Sequence, residues 1–479
     1  EEHGVDTSIW RGEHPDVEAL RRAPFPKTRR IYKLSGFGPN TRFGVHNHSL
    51  ANLRRGLIER VFYVESKGGL ESCPQPIPGV FKELRSVKNR FQRLCADHTP
   101  ISRQAFADLY QGRKRIIYQE AVNSLSERAV DPQDAKLKTF VKAEKINFSA
   151  KKDPAPRVIQ PRDPRYNVEV GKYLKPFEHV AYRSLDRIWG GPTVMKGYNV
   201  KEVASHIQSA WEEFGAPVAI GFDMKRFDQH VSEAALKFEH ACYNGVFHSA
   251  ELQRLLSWQI NNSGVGYAHD GKIKYRKRGC RMSGDMNTAL GNCLLACLIS
   301  HRLVQQMGIK ARLINNGDDC VLITEATNTA KVQEHLTKGW LRFGFQCVAE
   351  EPVYSLEEIE FCQMHPVCVN GRYRMVRNPR VATAKDTCSL THWPKEKHAR
   401  SWVRSVAEGG LKCCGGVPVM QDFYHTLLRE AGDGGKLGRN DDLLKSGFHQ
   451  FLAKGMEEEY QVVSEETRYS YWRAFGTTP

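Results

Sequence analysis

Three short segments carry the residues best suited to chemistry. Ile220-Gly221-Phe222-Asp223 ends an apolar run on an acid, with Asp228 five positions on. Met282-Ser283-Gly284-Asp285-Met286-Asn287-Thr288 follows, with Asn292 four positions further. Asn316-Gly317-Asp318-Asp319 then leads into Cys320-Val321-Leu322. Carboxylates brought to one place by separate strands suit a pair of divalent cations, which want hard oxygen ligands and stand roughly 3.5–4 Å apart in phosphoryl-transfer sites. Each piece also has an ordinary reading. Asn-Gly between apolar runs signals a tight hairpin, so the two acids after it read equally as a solvated turn. Asp223 reads as a strand-end cap, Asp228 as a surface charge, and Ser283 as the N-cap of the apolar stretch that follows. The weight lies in the set, three segments in order, each pairing the end of an element with a polar group of defined use.

Those groups need elements to hold them. Residues 216–232 read as a buried strand, a turn and a helix. Thr288–Met307 is apolar on nearly all sides, which predicts a helix buried in the body. Leu313–Thr324 reads as a hairpin with the acids at its tip, and Thr329–Phe343 as a helix leading to a strand over Phe345–Glu350. Strand, helix, hairpin, helix and strand make an α+β layer. Upstream, Gly79–Asp97 and Arg103–Leu125 have helical patterns. Between Lys136 and Arg165 the chain gathers Lys142, Lys145, Lys151, Lys152, Arg157 and Arg162 among Pro154, Pro156, Pro161 and Pro164. Prolines this dense forbid a continuous helix and predict an extended basic segment. Arg157 stands out within it, because Arg157-Val158-Ile159 sets a cation in an apolar stretch where it needs an anion. Beyond Arg377 the sequence turns helical and Gly-punctuated, with Gly432–Gly438 a mobile loop.

The 479 residues are 41% hydrophobic, enough for several cores and too many for a disordered tail. Seventy Lys and Arg against 54 Asp and Glu leave a net charge of +16, clustered in the basic segment, which favours a polyanionic partner such as nucleic acid over a merely soluble surface. Thirteen Cys without a CxxC pair or regular spacing fit a reducing compartment. Cys413-Cys414 near His392 and His398 match no common zinc pattern. The longest apolar stretch, Leu294–Ile299, is too short for a bilayer, which takes about 20 residues. The first residue is Glu, so the chain is expected to be a fragment or a processed product.

The order and spacing of the three acidic and polar segments resemble motifs A, B and C of viral RNA-dependent RNA polymerases. Val45-His46-Asn47, Glu59-Arg60-Val61-Phe62, Lys196-Gly197-Tyr198 and Glu360-Phe361-Cys362-Gln363 narrow the resemblance to replicases of the tombusvirus and carmovirus relatives among plant positive-strand viruses. It runs from about Ile31 into the Phe361 region. The fold it implies is an α+β right-hand polymerase closed by fingertips. Fingers, with the start of the palm, would span 1–215, the palm 216–376 with a fingers insertion near 246–278, and the thumb 377–479.

The resemblance also assigns roles. Asp223, Asp318 and Asp319 would be catalytic and, with the Met224 carbonyl, hold two Mg²⁺ or Mn²⁺ ions. Asp228, Ser283, Thr288 and Asn292 would select the ribose, and Lys142, Lys145, Lys152, Arg157 and Arg162 would grip the triphosphate. Gly284 and the Phe361-Cys362-Gln363 turn would touch template and primer. Related enzymes often place a lysine general acid after motif C. None occurs in Phe345–Glu350, and Lys338 is a weak substitute. Tyr460, Tyr469, Tyr471 and Trp472 would pack the thumb or offer a stacking platform for starting without a primer. The implied partners are single-stranded viral RNA, NTPs, a viral auxiliary protein and host factors. The implied location is the host cytoplasm, at replication membranes reached through a separate or upstream segment. A reverse transcriptase is disfavoured by Asp228 and Gly317, and an inactive RNA-binding subunit by the full carboxylate set.

Overall fold

In the computed structural model, which describes residues 1–7, 12–22, 27–37, 41–432, 452–457 and 459–478, the strand Pro217–Met224 lies inside a four-stranded antiparallel sheet. The order across that sheet is Ala311–Asn316, Asp319–Glu325, Pro217–Met224 and Cys347–Ala349. Alternation along Pro217–Met224 decides what each face does. Val218, Ile220, Phe222 and Met224 enter the largest core together with Leu294, Leu298 and other residues of the helix Thr288–Met307. Ala219, with Val321 and Ile323 of the next strand, enters a second core that includes Met364, Val367, Met375, Trp402 and Tyr424. A sheet buried on both faces must read as near-continuous apolar runs, and its strands do.

Thr288–Met307 is helical over the whole stretch its composition predicts. Its N-cap position is Asn287, so Ser283 does not cap it as the sequence suggested; Gly284, Asp285 and Met286 separate the two. Arg103–Leu125 is interrupted, as Arg103–Asp108 and Gly112–Glu127, because Gly112 takes a positive φ of 61° that restarts the chain in a new direction. The strand expected over Phe345–Glu350 is confined to Cys347–Ala349.

A five-stranded sheet stands apart from the central one. Its order is Val17–Arg21, Gly271–Arg278, Asn261–Ala268, Leu137–Val141 and Val158–Ile159. Leu137, Val141, Val158, Ile273 and Tyr275 from its inner face form a third core with Leu50, Leu53 and Leu57 of the helix Leu50–Leu57. A third sheet joins Glu2–His3 and Arg30–Lys33 to Cys388–Ser389, tying the first residues to the C-terminal third. Residues 433–438 of the expected Gly-rich loop lie outside the described residues. Among the described residues no helix is long and apolar enough to cross a membrane.

Candidate functional site

The acids are positioned by register. Phe222 pairs with Cys320 across the two central strands, so Asp223 and Asp319 continue the same ladder one residue on. Asn316 pairs with Asp319, leaving Gly317-Asp318 as a two-residue loop. Gly317 has φ of +70° and is the first central residue, the arrangement of a type II′ turn and a reason for glycine there. The buried Asn315 braces the loop, its amide donating to the Gly317 carbonyl at 2.8 Å.

Crowding of these carboxylates is felt in their proton affinity. Partial burial and then the neighbouring Asp318 push Asp223 up to about 6. Burial raises Asp319 to about 6, opposed by the Cys362 N–H, which donates to its Oδ2 at 2.8 Å. Asp318 is also raised, by burial first, and the positive charges of Arg157 and Lys196 pull it back. A cluster of hard oxygen donors under mutual repulsion suits divalent cations. Among the described residues no three His, Cys, Asp or Glu side chains already form a closed chelating group.

Beside the acids lies a hydrogen-bonded trio. Ser283 Oγ donates to Asp228 Oδ2, and Asn292 Nδ2 donates to Asp228 Oδ1 at 2.8 Å. Asn292 is oriented by Arg281, whose Nε donates to its Oδ1 at 2.9 Å. Arg281 is fully buried and ion-paired with the equally buried Glu239. Its backbone N–H also donates to the Asp228 carbonyl at 2.9 Å, joining the two segments. Thr288 stays outside the trio and donates from Oγ1 to the Met282 carbonyl at 3.2 Å.

The basic segment folds against this cluster. The Gln160 N–H donates to the Ser283 carbonyl at 2.7 Å, and a Cβ on Gly284 would meet Pro161 and Ile159 at 3.3–3.4 Å. Lys142 and Arg157 are backbone-paired and share Glu144, at 3.2 and 3.1 Å. Lys152 is exposed. Two of the proposed phosphate ligands are committed elsewhere. Arg162 is buried, with its guanidinium filled by Asp285 at 2.5 and 3.1 Å, Asn262 at 2.8 Å and the Ala135 carbonyl at 2.8 Å. Lys145 donates to the Lys385 carbonyl at 3.1 Å, with its ammonium 5.9 Å from the Trp402 ring centroid.

Cys362 and Gln363 both have positive φ, 51° and 61°, and Phe361 and Met364 exchange backbone hydrogen bonds around them. This is a type I′ turn built without glycine, and it lies against Asp319. Lys338 pairs with Glu334 on its own helix at 3.6 Å and remains largely exposed, so nothing brings it to the acids. Tyr471 is buried in the second core, whereas Tyr469 and Trp472 are 60% and 43% exposed with ring centroids 5.7 Å apart. Tyr460 is half exposed and donates to Asp422 at 2.6 Å.

Sequence reading missed four contributors, Arg281, Glu239, Asn315 and Glu350. Glu350 lies against Gly221, where a Cβ would meet its Oε2 at 2.2 Å, and its charge adds to the proton affinity of Asp223. Arg281 carried the same signal as Arg157, a cation between Cys280 and Met282 with no acid beside it.

Comparison with known proteins identifies the family. A family model described as viral RNA-dependent RNA polymerase matches residues 17–479. The RNA-directed RNA polymerase of Carnation mottle virus is 55% identical over 479 residues, covering 100% of this chain and 62% of the relative. That of Turnip crinkle virus is 54% identical over 481 residues, covering 99% and 61%. That of Tomato bushy stunt virus (strain Cherry) is 42% identical over 484 residues, covering 99% and 58%. The chain thus spans about three fifths of the length of these relatives. It belongs to the family of viral RNA-dependent RNA polymerases.

Proposed function

We propose that this chain is the catalytic part of a replicase that copies single-stranded viral RNA by nucleotidyl transfer and starts without a primer. The observation that carries the reading is the convergence of Asp223, Asp318 and Asp319 at one end of the central sheet, beside the Asp228–Ser283–Asn292 trio. Two Mg²⁺ or Mn²⁺ ions held by Asp223 and Asp318, with Asp319 and the Met224 carbonyl in support, would supply Lewis acidity at the α-phosphorus and ease deprotonation of the 3′-hydroxyl.

The chain's own residues bind and orient. An ionised carboxylate has about four lone-pair sites, so Asp228 can hold Ser283 and Asn292 and still accept from a 2′-hydroxyl. Lys142, Lys152 and Arg157 grip the triphosphate, whereas Arg162 braces the segment that carries them. Gly284 and the Phe361-Cys362-Gln363 turn guide template and growing strand. The right-hand reading follows with fingers to 215, palm to 376 and thumb beyond. It is supported by the pairing of the hairpin 261–278 with Leu137–Val141 and Val17–Arg21, away from the central sheet, and by the strand tie between residues 2–33 and 388–389.

The test is synthesis of labelled RNA on an unprimed single-stranded template with four NTPs and Mg²⁺, beside Asp318→Ala. Template-length product from the unmodified chain alone supports the reading; equal product from both sinks it.

A further inference from the structure

The five-stranded sheet turns one face into its core and leaves side chains of the other face exposed among the described residues. Along Gly271–Arg278 the outward side chains are Lys272, Lys274, Arg276 and Arg278, about 6.8 Å apart at two residues of ~3.4 Å rise. Lys274 and Arg276 are exposed and have no ion pair among the described residues, although Glu18 stands across from Lys274 on the edge strand. Arg278 is taken by Glu233 at 2.5 Å. In the adjoining strand Tyr267 pairs opposite Lys272 and is 59% exposed, with the Lys272 ammonium 5.1 Å from its ring centroid. Phe140, outward on the next strand, is 39% exposed.

A row of cations at strand spacing beside open aromatic rings on one sheet face matches single-stranded nucleic acid. Phosphates take the cations, and bases stack on rings without regard to sequence. A lipid surface would share the charge but wants a protruding apolar wedge, and here the rings lie across a sheet. The face also leads to the acidic centre, since Val141 pairs with Val158 and the Lys142 N–H donates to the Arg157 carbonyl at 2.9 Å. Building on the RNA-copying reading, we propose that this face is a platform for single-stranded RNA outside the acidic centre, with Lys274 and Arg276 on phosphates and Tyr267 stacking a base.

The experiment is fluorescence anisotropy of the full chain with labelled single-stranded RNA of about 30 nucleotides, long enough to cover both regions, and of about 6 nucleotides. Lys274→Ala/Arg276→Ala should weaken binding of the long RNA about tenfold and reduce the slope of log affinity against log salt by about 1.4, roughly 0.7 for each lost phosphate contact. Tyr267→Ala should weaken it by a similar factor with the slope unchanged. Binding of the short RNA should not discriminate among the three proteins. Unchanged affinity and slope on the long RNA would overturn the platform. So would variants that lose binding only to phosphatidylserine vesicles, which would mark a membrane face. Because binding is read without synthesis, a chain that binds as described but makes no RNA would sink the polymerase reading and leave the platform standing.

Discussion

At the scale of single residues, the acidic centre is held at a cost. Burial and the neighbouring acids raise Asp319 to about 6 from the ordinary carboxylate range, so its charged form is disfavoured in the folded chain. A carboxylate raised on folding destabilises above the folded value, and the penalty vanishes once both states are protonated. Asp319→Asn should therefore stabilise the metal-free protein at pH 7.5 by about 1 kcal/mol, after allowing for solvent screening. The gain should fade between pH 6 and about 4. The same variant should lose most synthesis, and millimolar Mg²⁺ should raise the melting temperature of the unmodified chain more than that of the variant. Equal melting curves at pH 7.5 would remove the repulsion argument. Asp228 beside these acids has both oxygens occupied by donors. Asp228→Ala removes a charged acceptor from the ribose site, and competition between NTP and dNTP should show discrimination falling about tenfold, the worth of one such hydrogen bond.

Among the elements, the helix Thr288–Met307 connects packing to choice of sugar. Gly291 lies on it where a Cβ would stand 2.3 Å from Arg281 Nη2 and 2.5 Å from the Glu239 carboxyl. Gly291→Ala should push the buried pair apart at a cost of about 3–5 kcal/mol, the scale for breaking such a pair. It should also release Asn292, so that discrimination against dNTP weakens with melting temperature; a fall in stability alone would separate the helix from the ribose trio. This helix was legible because a 20-residue stretch apolar on nearly all sides has few other solutions. The hairpin tip was legible too, because a glycine between two apolar runs marks a tight turn, although the loop is Gly317-Asp318, one residue beyond the Asn-Gly pair. The Arg281–Glu239 pair was not, since its partners are 42 positions apart and come together only by packing. Arg162 misled for the opposite reason. Its neighbours in sequence are basic and suggest a phosphate site, but the acid that fills its fork, Asp285, arrives from a distant turn.

On the scale of the whole molecule, the described residues form four cores and six sheets, joined by ties that composition does not reveal, such as the strand pairing of residues 30–33 with 388–389, where Ile31 and Cys388 share a small core. Two histidines, His46 buried and His301 half-buried, sit in different parts of this assembly. His46, near the start of the chain, and His301, on the helix Thr288–Met307, are both pushed down to about 4 from 6.5, in each case by burial first. Positive neighbours deepen the effect, Arg55 and Arg60 at His46 and Arg90 at His301, while Glu144 and Asp153 oppose it at His46. A histidine lowered on folding contributes stability that is complete above 6.5 and is lost as pH falls toward 4, because the unfolded chain takes up the proton first. The raised carboxylates act with the opposite sign over part of the same interval. Net charge decides between them, since a chain at +16 gains further positive charge as acids protonate, and self-repulsion grows. Melting temperature should therefore drop between pH 7.5 and 5. His46→Gln/His301→Gln should recover a share of that drop corresponding to about 2 kcal/mol or less for each histidine, whatever the substitutions do to stability at pH 7.5. A variant whose melting temperature falls as steeply as that of the unmodified chain would remove these two histidines as the cause and leave the acid sensitivity to self-repulsion and to the other histidines that burial lowers, such as His48, His206, His230 and His240.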